Sequence, residues 1–261
     1  MFNGVLMRGG GRTASAVRTE NGIELSITYS KSTGKSKLSR IPVLRGIAAF
    51  AVSLGGVLKT ARGKKNRRKA FAVAVCYAAF AAALILLGIF LEKRITASSW
   101  LVYNLIIAGV TVVELIVMLV VLRRIPACRR LFMYHAAEHM CINCYEKRLP
   151  LTVENVRIQS REHIRCGSNL VANVITAVLL LEIFLPPMES EILYLAIDLT
   201  ATLAIFVIAY EGMRYAEKNE NRLTRVIGFL GGLMQRYLTT IEPTDDMLEC
   251  GIAAIKGVTE E

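Results

Sequence analysis

Phe71 to Leu91 contains neither a charged residue nor a proline, and a run of that kind leaves a backbone few places to go. In a bilayer its amides are satisfied within a helix, which at ~1.5 Å rise per residue crosses a hydrocarbon core of roughly 30 Å. Leu101 to Leu122 repeats the pattern, opened by Trp100 and closed by Arg123-Arg124; an indole suits the membrane interface. Leu170 to Leu185 and Ile192 to Tyr210 form a second pair, joined by Pro186-Pro187-Met188-Glu189-Ser190-Glu191. The sequence therefore predicts a mainly α, polytopic membrane protein with four transmembrane helices in two hairpins. A hydrophobic share of 54% is also too high for an ordinary soluble domain.

The polar segments complete the expected organisation. Residues 1–69 should hold a cytosolic β-hairpin, an interfacial helix and a basic run. Transmembrane hairpin 1 should occupy 70–122, a cytosolic site-bearing segment 123–169, transmembrane hairpin 2 residues 170–211, and cytosolic C-terminal helices 212–261. Met1 to Ser39 lacks the apolar core of a signal peptide. Within it, Ile23, Leu25, Ile27 and Tyr29 alternate with polar residues after Asn21-Gly22, opposite Ala14, Ala16 and Val17, the pattern of a hairpin with one apolar face. The glycines between Gly4 and Arg12 lack the G-K-[ST] of a phosphate loop and read as a flexible turn. Ile41 to Ala61, with Pro42 and Gly55-Gly56, suits a helix lying along the interface.

The formal net charge of +11 has no RNP-type or zinc-finger pattern beside it, so nucleic acid is not expected as a partner. Anionic lipid headgroups are the expected counter-charge, above all near Arg62 to Lys69. That run, the segment from Arg123 to Arg165 and the tail after Arg214 are rich in Lys and Arg, whereas Pro186 to Glu191 has none. By the positive-inside rule both termini and the middle segment face the cytosol, a compartment in which thiols stay reduced. Glu114, Glu182 and Asp198 fall within the spans. At ~2.5–3.5 kcal/mol each on insertion scales, they should face the bundle and find partners such as Asn104 or Asn173. Beyond the last span, Gly231-Gly232 should break the helical pattern, Thr244 to Glu249 should open a capped helix, and Leu248, Ile252 and Ile255 should form its packing stripe.

All three histidines of the chain, His135, His139 and His163, lie in the middle cytosolic segment. His135 and His139 are four apart and share one face of a helix with Glu138 beside them, in the order H-x-x-E-H. His163 and Cys166 add a second pair of ligand types. Imidazole mixed with thiolate favours zinc among divalent transition metals. All four as ligands would make a closed, structural site; three would leave a position for water, with Glu138 as general base or as a further ligand. Cys141 and Cys144 are additional candidate thiols, and a Cys166–His163 nucleophile pair is a further arrangement.

Taken together, Tyr134-His135-Ala136-Ala137-Glu138-His139, Tyr145-Glu146, Thr152 to Val156, His163-Ile164-Arg165-Cys166-Gly167 and Leu238 to Pro243 resemble the bacterial YqhQ-like membrane proteins (domain of unknown function 1385). Gly4 to Gly9 and Pro42 to Gly46 resemble that family too, and Met140 and Ile164 depart from its pattern. The resemblance implies a bacterial cytoplasmic membrane and metal dependence, without naming a substrate. By matching position it marks His135, Glu138, His139, Glu146, His163, Arg165 and Cys166. Tyr134, Tyr145 and Arg165 are expected to steady a developing oxyanion. The expected function is metal-dependent hydrolysis of a small-molecule or lipid-linked substrate at the membrane, with Glu138, Arg165 and Tyr145 as catalytic residues and a homo-oligomer as one possible assembly. The competing expectation is a membrane scaffold or transporter stapled by a structural metal.

Overall fold

A computed structural model describes residues 3–29, 45–46, 78–79, 82–83, 86–90, 93–95 and 99–259. The basic run Arg62 to Lys69, nearly all of the expected interfacial helix and most of the first expected span lie outside the described residues.

The expected hairpin is present and carries a third strand. Strands β1 (Gly4–Gly9), β2 (Arg12–Thr19) and β3 (Gly22–Tyr29) form an antiparallel sheet in that order. The glycine-rich start is thus a strand and a tight turn, where the sequence suggested a loose one. Gly10 and Gly11 alone separate β1 from β2, at φ 56° and 79°. Positive φ at both central residues is what a type I′ hairpin demands and glycine supplies cheaply. Register places Val5, Ala16 and Leu25 in one row and Met7, Ala14 and Ile27 in the next, all on one face. Polar alternation on the other face holds that register, because a slip of one residue would turn every apolar side chain outward.

The β1 and β2 part of that face, Val5, Met7, Ala14 and Ala16, is buried under the last described helix, while Leu25 and Ile27 of β3 stay exposed at its edge. The helices are α1 (Trp100–Arg124), α2 (Pro126–Glu146), α3 (Val153–Arg157), α4 (Gly167–Phe184), α5 (Glu191–Ala216), α6 (Arg222–Met234) and α7 (Asp245–Thr259), with a π-helical turn at Gln235–Thr239 between the last two. Helix α7 is wedged between the sheet and α2, and small residues make the fit possible. A Cβ on Gly257 would lie 3.0 Å from the Cβ of Ala14, and one on Gly251 would lie 2.6 Å from Cys141 Sγ. Leu248 and Ile255 are buried as the stripe predicted, and Ile252 packs beside them. Thr244 bonds to Asp246 at the start of α7, whereas Glu249 reaches outward to Arg18 at 3.1 Å. Cys141, Cys144 and Cys250 are buried in this core with Met140 and Val156. Burial raises the pKa of all three thiols, so Cys141 and Cys144 act as packing groups rather than as nucleophiles.

Helices α1, α4 and α5 are long and apolar enough to cross a membrane. Leu105, Val113, Leu199 and Ile208 stand exposed on them, as lipid contact requires and water does not reward. Asn104 is not a partner of a carboxylate: its amide donates to the main-chain carbonyls of Glu182 and Leu185, at 2.9 and 3.2 Å. Asn173 likewise donates to the carbonyls of Asn169 (2.8 Å) and Ile227 (2.9 Å). These amides tie helix to helix through the backbone, which the sequence could not distinguish from pairing with the acids. Near the end of α5, Glu211 accepts from Arg45 Nε at 2.6 Å in a two-pronged ion pair.

The Gly231-Gly232 pair does not end its helix. Asn221 and Thr224 cap α6 reciprocally, and the helix runs through both glycines to Met234. Asn169 of α4 sits so close to Gly231 that any Cβ there would overlap its side chain. The glycine marks a helix crossing, which in sequence looks the same as a break.

Candidate metal centre

Helix α2 begins with Pro126 at its first turn, where a missing N–H costs nothing, and carries His135, Glu138 and His139 along its middle turns. The segment between α3 and α4 brings Cys166 to meet them. One ligand atom each of His135, His139 and Cys166 lies within 4.8 Å of those of the other two. The two rings meet edge to face, with centroids 4.3 Å apart.

Each imidazole is oriented from behind. His135 Nδ1 lies 3.0 Å from the Thr239 carbonyl and His139 Nδ1 lies 2.6 Å from the Arg161 carbonyl. A carbonyl only accepts, so both Nδ1 atoms carry hydrogen and donate. This arrangement leaves Nε2 of each ring for the site, the usual support of a metal-binding histidine. The π-helical turn explains why Thr239 can serve. Its wider winding directs the Thr240 N–H to Gln235 O at 3.0 Å and leaves the Thr239 carbonyl outside the helical ladder.

Cys166 is the N-cap of α4, where the helix dipole favours a thiolate, and its Sγ lies 3.0 Å from both His135 Nε2 and Ser168 Oγ. Burial alone would raise the thiol, but hydrogen bonds from His135 and His139 outweigh it and hold Cys166 down at about 4. Burial likewise works against a charged His135, yet the bond and charge of Cys166 and the Thr239 carbonyl lift it to about 9. Cys166 and His135 thus form a thiolate–imidazolium pair when no ion is bound.

A pH dependence follows. The thiolate is already formed at neutral pH, while His135 must lose its proton to offer Nε2 to an ion. Zinc affinity should therefore rise about tenfold per pH unit up to about 9 and flatten above it, with close to one proton released per ion at pH 7. Calorimetry in buffers of different ionisation enthalpy measures that proton. A release near zero would mean that His135 is not displaced from the thiolate by the metal.

His163 stands beside this group. Its ring centroid lies 5.9 Å from that of His139, and its Nε2 faces Glu146 Oε2 at 3.3 Å. Burial, together with the charge of His139, holds its pKa down to about 4, so the contact is a hydrogen bond from a neutral ring. Spacing suggested His163 as the partner of Cys166; the structure gives that place to His135. Glu146 also pairs with Arg165, which reaches Glu217 at 3.1 Å. Arg165 is therefore committed to two carboxylates. Tyr145 lines an open cleft of about 600 Å³ with Glu146, Arg148, Leu149, Leu151 and Lys256, and none of the three grouped residues lines it. Tyr134 is buried in the core, beside Cys250 and Arg130. Glu138 is partly buried and lies close enough to His135, His139 and Cys166 to feel their charges. Burial raises its pKa, and the two imidazoles oppose that.

Sequence reasoning missed the supports. The carbonyls of Thr239 and Arg161 have no side-chain signature. Gln235, almost fully buried, accepts from the His163 N–H at 2.7 Å and donates to its carbonyl at 3.2 Å, clamping the segment that delivers Cys166. An amide three residues beyond the glycine pair, beside Arg236, was the only trace of it in the sequence.

Comparison with known proteins agrees with the motifs. The family described as "Protein of unknown function (DUF1385)" matches residues 36–261. The "Uncharacterized protein YqhQ" of Bacillus subtilis (strain 168) is 38% identical over 130 residues, which cover 49% of this chain and 40% of the length of that relative. No solved structure matches. With most of its length matched by that family, including the histidine segment, α4 and the Leu238–Pro243 stretch that supports the site, this chain belongs to DUF1385.

Proposed function

We propose that His135, His139 and Cys166 hold one divalent transition metal, zinc by the chemistry of the donors, and that the chain is a metal-dependent membrane enzyme, a hydrolase acting on a membrane-associated substrate. The observation that carries this reading is the convergence of two imidazoles and a thiol while both Nδ1 atoms are tied to carbonyls. Two imidazoles and a thiolate suit zinc, and three protein ligands leave it an open position. A bound ion there supplies Lewis acidity. The chain supplies the rest. Glu138, next to His139 and one turn from His135, is placed to take a proton from an attacking water and return it to a leaving group. Thr239 and Arg161 keep the rings aimed, and Gln235 holds the strand of chain leading to Cys166. Four spans with both termini and the site in the cytosol fit the charge distribution and belong to the same proposal.

X-ray absorption on zinc-loaded protein tests the coordination. The expected shell is one sulfur, two imidazole nitrogens and at least one lighter non-imidazole ligand. One sulfur with three imidazoles would bring His163 in, close the site and favour the structural staple over the enzyme.

A second reading has its own observation. The Cys166 thiolate paired with His135 at 3.0 Å is also the arrangement of a cysteine nucleophile with its base. Alkylation of Cys166 at an unchanged rate in zinc-replete protein would favour it, since a metal-held thiolate is shielded.

A further inference from the structure

Helix α6 and the turn after it present one apolar stripe to the outside. Leu223, Val226, Leu230, Leu233 and Tyr237, with Phe229 alongside, are between 38% and 68% exposed. Their spacing is that of a single helix face, and six such side chains together are more than scattered surface residues. The opposite face is built to pack. Thr224 and Gly231 are buried on it, Gly228 faces Ile164, and Gly231 abuts Asn169. At the end of this helix, Arg236 Nε donates to Glu162 Oε1 at 2.5 Å.

Position identifies what covers the stripe. Helix α6 packs on α4 and α5, two of the helices able to cross a membrane: Asn173 of α4 donates to Ile227 O at 2.9 Å, and Ile227 reaches Gly212 of α5. Its apolar stripe therefore continues the apolar surfaces of the spans. Arg222 and Arg225, exposed at its first turn, make no ion pair with a described residue, and Tyr237 at the other end joins an apolar ring to a polar tip. An apolar stripe flanked by guanidinium groups is complementary to a lipid surface with anionic headgroups.

We propose that α6 is an interfacial helix, with Leu223, Val226, Phe229, Leu230, Leu233 and Tyr237 in the acyl boundary of the bilayer and Arg222 and Arg225 against headgroup phosphates. The segment carrying Glu162, Ile164 and Cys166 rests on the opposite side of this helix. The candidate metal centre then lies about one helix diameter, roughly 10 Å, from the acyl boundary. Resting on the reading under Proposed function, this restricts its substrates to groups displayed at headgroup level.

The test needs neither metal nor turnover, so it stands or falls separately from the hydrolase reading. Trp100 is the only tryptophan of the chain, so Trp100→Phe combined with Phe229→Trp reports on the stripe alone. The full chain is placed in nanodiscs of phosphatidylcholine and phosphatidylglycerol, with and without 6,7-dibromo acyl chains. Bromolipid should remove roughly half or more of the emission while aqueous iodide removes little, as for a residue in the acyl boundary. Leu233→Trp in the same background should behave alike, which guards against a fault of one variant. Ile158→Trp, at a position 77% exposed on the soluble side, should show the reverse. Emission at 229 and 233 quenched by iodide and untouched by bromolipid would place the stripe in water. Emission shielded from both would place it against protein, such as a second copy of the chain. Either result overturns the proposal.

Discussion

Protein carrying Cys166→Ala, His135→Ala or His139→Ala is expected to leave purification with little zinc, while His163→Ala keeps close to one ion per chain. Partners that merely orient a ligand are worth ~10–100-fold in metal affinity, so losing one of three ligands should cost more than about 100-fold. The contrast with His163 is the sharper part. Its Nε2 is engaged by Glu146, and its ring lies outside the group that can share an ion. Elemental analysis of the four variants at equal folded yield, judged by circular dichroism and size exclusion, decides the matter. Equal metal in all of them and the parent would remove the site. Loss in His163→Ala as complete as in the others would restore a four-ligand set and close the position on which catalysis depends.

Glu138→Gln should do the opposite: retain zinc and fold, yet lose activity by about 100-fold or more, the usual worth of a positioned general base. The amide is nearly the same size, so the packing of α2 survives, but it cannot take a proton. Because Glu138 lies beside both imidazoles, its charge also favours cation binding, and a loss of zinc affinity well below that of the ligand variants is expected with it. The readout is complementation of a deletion strain, followed by recovery of whatever membrane component accumulates without the protein. Zinc-replete Glu138→Gln that complements fully, beside His139→Ala that does not, would assign the metal to structure and discard the hydrolase.

What the sequence made legible follows from how each signal is encoded. The long apolar helices α1, α4 and α5 were readable because an uncharged run of that length shows in the residues themselves. His135 and His139 were readable because helical spacing is fixed by geometry. Cys166 lies beside His135 and not His163, since H-x-x-C describes neighbours along the chain, while the contact with His135 is made between segments. Gly251, Gly257 and Gly231 had the same difficulty. A glycine that admits a neighbouring helix and a glycine that ends its own look alike until the neighbour is known. The carbonyls of Thr239 and Arg161 were beyond reach, because every residue has one.

The wedge of α7 between the sheet and α2 has a consequence for the order of events during synthesis. Arg18 and Glu249, which join strand to helix at 3.1 Å, are 231 positions apart, so the strands leave the ribosome well before the helix that packs on them. The strands must wait, their Ala14 and Ala16 face uncovered, while α1, α4 and α5 are made. Only when α7 has been made can the sheet and α2 close on it, so this core rests on contacts of high sequence separation and forms late relative to its own strands.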